Sequence, residues 1–111
     1  MEIAEIRKNG VLVVDVGGRV DASNAGELET RLLELIAGGD RRLVVDCARL
    51  DYVSSAGLRA LLVAAKRVAA GRGKIVLAAL KEPIKEVFDI AGFASILQIY
   101  PTPDDAMAAF Q

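Results

Sequence analysis

Two apolar-rich segments between Glu2 and Val16 flank the dipeptide Asn9-Gly10, whose residues suit the positive φ values of a type I′ turn. This pattern predicts an opening β-hairpin. After Gly17-Gly18, the stretch Ser23-Asn24-Ala25-Gly26-Glu27 places a capping residue three positions before a Glu, and Ala25, Leu28, Leu32, Leu35 and Ile36 follow at helical spacing. A first helix is expected to run to about Ala37 and to stop at Gly38-Gly39-Asp40. Leu43-Val44-Val45, bounded by charge, has the character of a strand covered on both faces. A loop is expected from Asp46 to Ala56. Leu58, Leu61, Leu62, Ala65, Val68 and Ala69 then recur at i, i+3, i+4, i+7 with Arg59, Lys66 and Arg67 off the stripe, which predicts a second helix ending at Gly71-Arg72-Gly73.

Lys74 to Ala79 reads as a further strand, and Pro83 stands where the first turn of a helix tolerates proline. Ile84, Val87, Phe88 and Ala91 form the expected buried stripe of that third helix, which Gly92 ends. Ile96 to Ile99 is expected as a last short strand, and Pro103 as the start of a small helix through Ala106, Ala109 and Phe110. The order is ββαβαβαβα: an α/β fold with a mixed, mostly parallel sheet of about five strands, an N-terminal β-hairpin and about four helices. Residues 1–111 read as a single domain. In such sheets ligands and partners gather at the carboxyl ends of strands, which points to Gly17–Asn24 and Asp46–Ala56.

Composition narrows the chemistry. The 111 residues contain no His and one Cys, which excludes an imidazole base, a Ser-His-Asp triad, a disulfide and a cysteine-rich zinc site. An enzyme is therefore not expected. Fourteen Lys+Arg balance fifteen Asp+Glu, giving a formal net charge of −1 and no bulk attraction to nucleic acid or anionic lipid. The longest apolar runs, Ala60 to Ala65 and Ile75 to Leu80, fall far short of the roughly 20 residues that span a bilayer. Glu2 and Glu5 stand where a signal peptide carries its basic region, so a cytoplasmic protein is expected. No Gly-x-x-x-x-Gly-Lys-Ser/Thr phosphate loop is present, and no tight cofactor is expected. Cys47, after Val44-Val45-Asp46, reads most simply as a small core residue.

The stretch Tyr52-Val53-Ser54-Ser55-Ala56-Gly57-Leu58 sets two hydroxyls immediately before an apolar helix. One reading is helix capping, since Ser is a preferred N-cap. The other comes from resemblance: the stretch resembles the signature loop of STAS domains, the anti-sigma factor antagonist family. Gly18-Arg19-Val20-Asp21 with Ala25 and Leu28 is similar to that family's segment leading into its first helix. Ile84-Lys85-Glu86-Val87-Phe88, Gly92 and Asp104-Asp105-Ala106 resemble its C-terminal third. The resemblance implies the STAS-type fold and an anti-sigma factor antagonist (an anti-anti-sigma factor).

In the family the loop is commonly Asp-Ser-Ser-Gly or Asp-Ser-Thr-Gly, and its first Ser is phosphorylated by a partner serine kinase with a histidine-kinase-like ATPase fold. Alignment on Gly57 makes Ser55 the phosphoacceptor the resemblance implies, with Ser54 second. Here Ser54 stands in place of the usual Asp and Ala56 in place of the second hydroxyl residue. The implied cycle has the unphosphorylated domain bind an anti-sigma factor kinase and free a sigma factor; phosphorylation ends binding, and a serine phosphatase restores it. The implied partner face comprises Asp21, Asn24, Ser54, Ser55, Ala56, Gly57 and Arg59. Asp21 also reads as a turn or capping carboxylate, and Arg59 as a solvated helix residue. The free domain is expected to be a monomer. A second reading is a STAS scaffolding subunit that docks on a transport ATPase or signalling assembly without being phosphorylated. A serine hydrolase lacks both Gly-x-Ser-x-Gly and histidine.

Overall fold

Asn9 and Gly10 take φ of 54° and 78° in the computed structural model, which describes residues 1–93 and 96–110. Two successive positive values are what a type I′ turn requires. They fold strand β1 (Glu2–Lys8) back on β2 (Val11–Val20) as the expected antiparallel hairpin. The chain continues through α1 (Ala25–Ala37), β3 (Arg42–Asp46), β4 (Leu50–Val53), α2 (Ser55–Ala70), β5 (Lys74–Ala78), α3 (Glu82–Ile90), β6 (Ile99–Tyr100) and α4 (Pro103–Ala108). The sheet order is β1-β2-β3-β5-β6, with β4 paired to β2 at Gly18–Val20, and every pairing beyond the hairpin is parallel.

Strand alternation divides the core in two. Leu12, Val14, Val16, Leu43, Val45, Ile75 and Leu77 join the buried stripes of α1, α2 and α3 in one cluster. Val11, Val13, Val44, Val76 and Ala78 meet Ala106 and Met107 of α4 in the other. Leu43, Val44 and Val45 are at most 1% exposed, so β3 is covered on both faces, as its uninterrupted apolar run implies.

Four expectations are corrected. The segment Asp46–Ala56 is not all loop: Leu50–Val53 forms β4, which two buried ends, Leu50 and Val53, tie to the core. Its alternation is hidden because Asp51 and Tyr52 are both exposed, and four residues are too few to establish a period. Gly17-Gly18 does not end β2; Gly18 takes φ 82° beside an irregularity in the β2–β4 register, and the strand resumes to Val20. On α3 only Ile84 and Phe88 are buried, while Val87 and Ala91 are exposed, because this nine-residue helix meets the core along a single i, i+4 line. The last strand starts at Ile99, not Ile96, since the amides of Ile96 and Leu97 both turn back to the Phe93 carbonyl.

Cys47 is fully buried just past β3, where its amide donates to the Ala78 carbonyl at 2.8 Å. Burial, and after it the neighbouring Asp46 charge, push the thiol up to about 12. Because the thiolate is the nucleophile, native protein is expected to leave a disulfide reagent such as DTNB unreacted at pH 8, whereas guanidinium-unfolded protein releases one equivalent. Prompt reaction of the native thiol would contradict this assignment.

Candidate functional site

Two chain exits lie side by side at one end of the sheet. Val20 of β2 is paired with Val53 of β4, and the Ser54 amide donates to the Val20 carbonyl at 2.8 Å. From Val20 the chain enters the Asp21–Asn24 turn and then α1; from Val53 it passes through Ser54 into α2. The sheet thus brings together two loops that are about thirty residues apart in the sequence.

The two serines of the second loop are placed differently. Ser54 is the N-cap of α2, with extended backbone, and its Oγ accepts from the Gly57 amide at 3.3 Å. Ser55 is the first residue of the helix; its side chain is exposed, and its hydroxyl has no partner among the described residues. The capping reading therefore applies to Ser54. At Ser55 the hydroxyl lies beside unpaired first-turn amides at the positive end of the helix dipole, and the first turn holds no acidic side chain. A dianionic group there meets a favourable field.

Ala56 is half-buried against the core, and Gly57 is buried, so Gly57 acts on this loop through packing. A Cβ at Gly57 would stand 2.6 Å from Val53 Cγ2 and 2.9 Å from Val20 Cγ1. The glycine lets the first turn of α2 settle directly onto the paired ends of β2 and β4. Arg59 is exposed one turn beyond Ser55, on the same side of the helix.

The first loop is held by its own polar side chains. Asp21 Oδ1 accepts from the Ser23 amide at 2.9 Å and from the Ser23 hydroxyl at 2.5 Å. These bonds, the hydroxyl's foremost, hold the Asp21 carboxyl below its usual range, and the Arg19 charge adds to the effect. Asn24 occupies the N-cap position of α1 but makes no side-chain cap. Its Oδ1 accepts from the Asp21 amide and its Nδ2 donates to the Arg19 carbonyl, both at 2.9 Å. The capping expected from the Asn24–Glu27 spacing is thus replaced by a brace that fastens the turn to the end of β2.

Sequence reasoning missed Lys81 and quoted Arg19 and Tyr52 only as parts of motifs. Arg19 lies opposite Tyr52 in the β2–β4 pair, with its guanidinium 4.3 Å from the ring centroid. Lys81 at the start of α3 pairs with Asp51, and this contact, together with the Arg19 charge, holds the Asp51 carboxyl low. The missing signal was β4 itself: a segment treated as loop has no register, and so no cross-strand neighbours.

The family model for the STAS domain matches residues 3–106, and the chain belongs to the STAS domain family. It is 40% identical over 111 residues to a putative anti-sigma factor antagonist, BtrV, of Bordetella bronchiseptica, covering 100% of this chain and 96% of the relative. The crystal structure of an anti-sigma factor antagonist from Mycobacterium paratuberculosis superposes with a TM-score of 0.89 at 25% identity, over 97% of this chain and 92% of the other. The Bacillus cell fate determinant SpoIIAA, solved in its phosphorylated form, shares the fold with a TM-score of 0.76 at 16% identity, over 99% and 100% of the two chains. None of the helices, among the described residues, is long and apolar enough to cross a membrane.

Proposed function

We propose that this chain is an anti-sigma factor antagonist whose binding to a cognate anti-sigma factor serine kinase is switched off by phosphorylation of Ser55. The observation that carries the choice of Ser55 is the division of labour between adjacent serines: Ser54 spends its oxygen on the Gly57 amide, and Ser55 presents a free hydroxyl at the helix start. Names of relatives support the antagonist role: the Bordetella protein and the mycobacterial structure both carry it. The protein contributes the hydroxyl alone. Ser55 Oγ attacks the γ-phosphorus of ATP, the new Oγ–P bond forms as the bond to the departing ADP oxygen breaks, and the hydroxyl proton passes to a carboxylate of the kinase.

Asp21, Asn24, Ala56 and Arg59 complete the partner face in this reading, with Asn24 acting through the loop it braces. The added phosphate, roughly −1.5 to −2 charges, sits where the helix N-terminus tolerates it, so the switch acts at the partner surface and leaves the fold intact. The experiment uses the purified protein as bait, identifies what it captures, and incubates the recombinant partner with ATP. One phosphate is expected by mass spectrometry, and Ser55→Ala is expected to abolish it. A gain that persists in Ser55→Ala would move the site to another residue. Ser54 in place of the family's usual Asp favours one second reading, a scaffolding subunit that is never phosphorylated. Capture of a transport ATPase with no mass gain would establish that reading instead.

A further inference from the structure

Arg19 and Tyr52 are both exposed, yet the guanidinium is held in place over the ring at 4.3 Å. Stacking occupies one face of the planar group and leaves its in-plane N–H edges open. Arg19 forms no salt bridge among the described residues, although its charge is felt by both Asp21 and Asp51. Such a fork matches a carboxylate bidentately, and a side chain already ordered loses less entropy on binding than a free one. Arg and Tyr are also the residue types that carry most interface energy.

We propose that Arg19 and Tyr52 form a docking platform for an Asp or Glu side chain of the protein partner, beside Ser55. This rests on the partner-switching reading above and names the chemistry of the surface that the partner brings. The flanking Asp21 and Asp51 carboxylates disfavour a polyanion, which needs contiguous basic groups, while a single carboxylate set against the guanidinium edge is accommodated. Position links the platform to the switch. Arg19 immediately precedes Val20, whose carbonyl holds the Ser54 amide, so the Cα atoms of Arg19 and Ser55 are within about 13 Å of each other. That separation is on the order of one Debye length, about 8 Å at physiological salt, so a phosphate on Ser55 and a carboxylate seated on Arg19 are only partly screened from each other. The platform thereby turns added charge into repulsion of the partner.

The test measures binding of the captured and purified anti-sigma factor by calorimetry at two salt concentrations. Arg19→Ala is expected to weaken binding about 30-fold, with a shallower salt dependence and a thermal midpoint within a few degrees of the parent. Arg19→Lys keeps the charge and loses the fork, and is expected to recover only part of the affinity. Tyr52→Phe keeps the ring and is expected to bind like the parent. Binding of Arg19→Ala or Arg19→Lys within twofold of the parent would overturn the proposal. Failure to capture any anti-sigma factor is a different result, because it removes the antagonist reading itself. Should Arg19→Ala melt early, the Arg19→Lys comparison at equal stability decides.

Discussion

Ser55→Asp is expected to weaken binding of the anti-sigma factor by roughly 100- to 1,000-fold, a loss of about 2.7 to 4 kcal/mol, while the domain stays folded. The physical grounds lie in where the side chain sits. Ser55 opens α2 with an exposed, unpartnered hydroxyl, and no acidic residue occupies that first turn. A carboxylate there interacts favourably with the helix dipole, typically by about 0.3–1 kcal/mol, so the thermal midpoint should hold or rise by a few degrees. The cost is borne at the partner surface, which must desolvate and approach the new charge.

The neighbouring serine gives the contrasting result. Ser54→Ala removes the acceptor for the Gly57 amide, which should destabilise by about 1 kcal/mol and lower the midpoint by roughly 4–8 °C, with Ser55 still phosphorylated. The pair of variants separates cap from switch in two instruments, a melting curve and a binding isotherm. Full affinity in Ser55→Asp would sink the switch assignment. Loss of phosphorylation in Ser54→Ala at temperatures well below its midpoint would shift the acceptor to Ser54.

Much of this is legible in the residues alone. The Asn9-Gly10 turn was explicit because only a few residue types tolerate two positive φ values in succession, and β3 because an apolar run bounded by charge has few other uses. The helical periods of α1 and α2 are long enough to identify themselves. β4 escaped because its four residues present two exposed side chains in a row, and with it went the Arg19–Tyr52 neighbourhood, a contact between residues 33 positions apart that only strand register creates. The serine loop was recognisable as a motif, but which serine caps and which is free is a matter of helix phase. Starting α2 one residue later would make Ser55 the cap and leave Ser54 outside the helix, and composition carries no trace of that shift. Asn24 misled for a related reason: its amide can cap a helix or brace a turn, and the choice depends on the Arg19 carbonyl being within reach.

What fixes the phase of α2 is Gly57, and Gly57→Val is expected to destabilise the domain by about 3 kcal/mol, lowering the thermal midpoint by roughly 12–24 °C. The reason is space and not backbone conformation, because Gly57 lies within α2 and has no positive φ. A Cβ at this position would lie 2.6 Å from Val53 Cγ2 and 2.9 Å from Val20 Cγ1, and those valines are only 6% and 1% exposed, with no room to swing aside. The sign of the smaller change discriminates. In an open helical position Gly→Ala stabilises by roughly 1 kcal/mol, whereas here Gly57→Ala should destabilise by about 1–3 kcal/mol. Adding Val53→Ala to Gly57→Ala removes the nearer obstructing methyl and should recover part of the loss, a non-additivity expected only of residues in direct contact. Urea titrations of Gly57→Ala, Val53→Ala and the double variant measure this, and a stabilising Gly57→Ala would show that the first turn of α2 has slack. The consequence reaches the switch, since lifting that turn off Val20 and Val53 pulls Gly57 from the Ser54 oxygen and moves Ser55 with it. The domain holds the Ser55 hydroxyl in register by the absence of a methyl group two residues away.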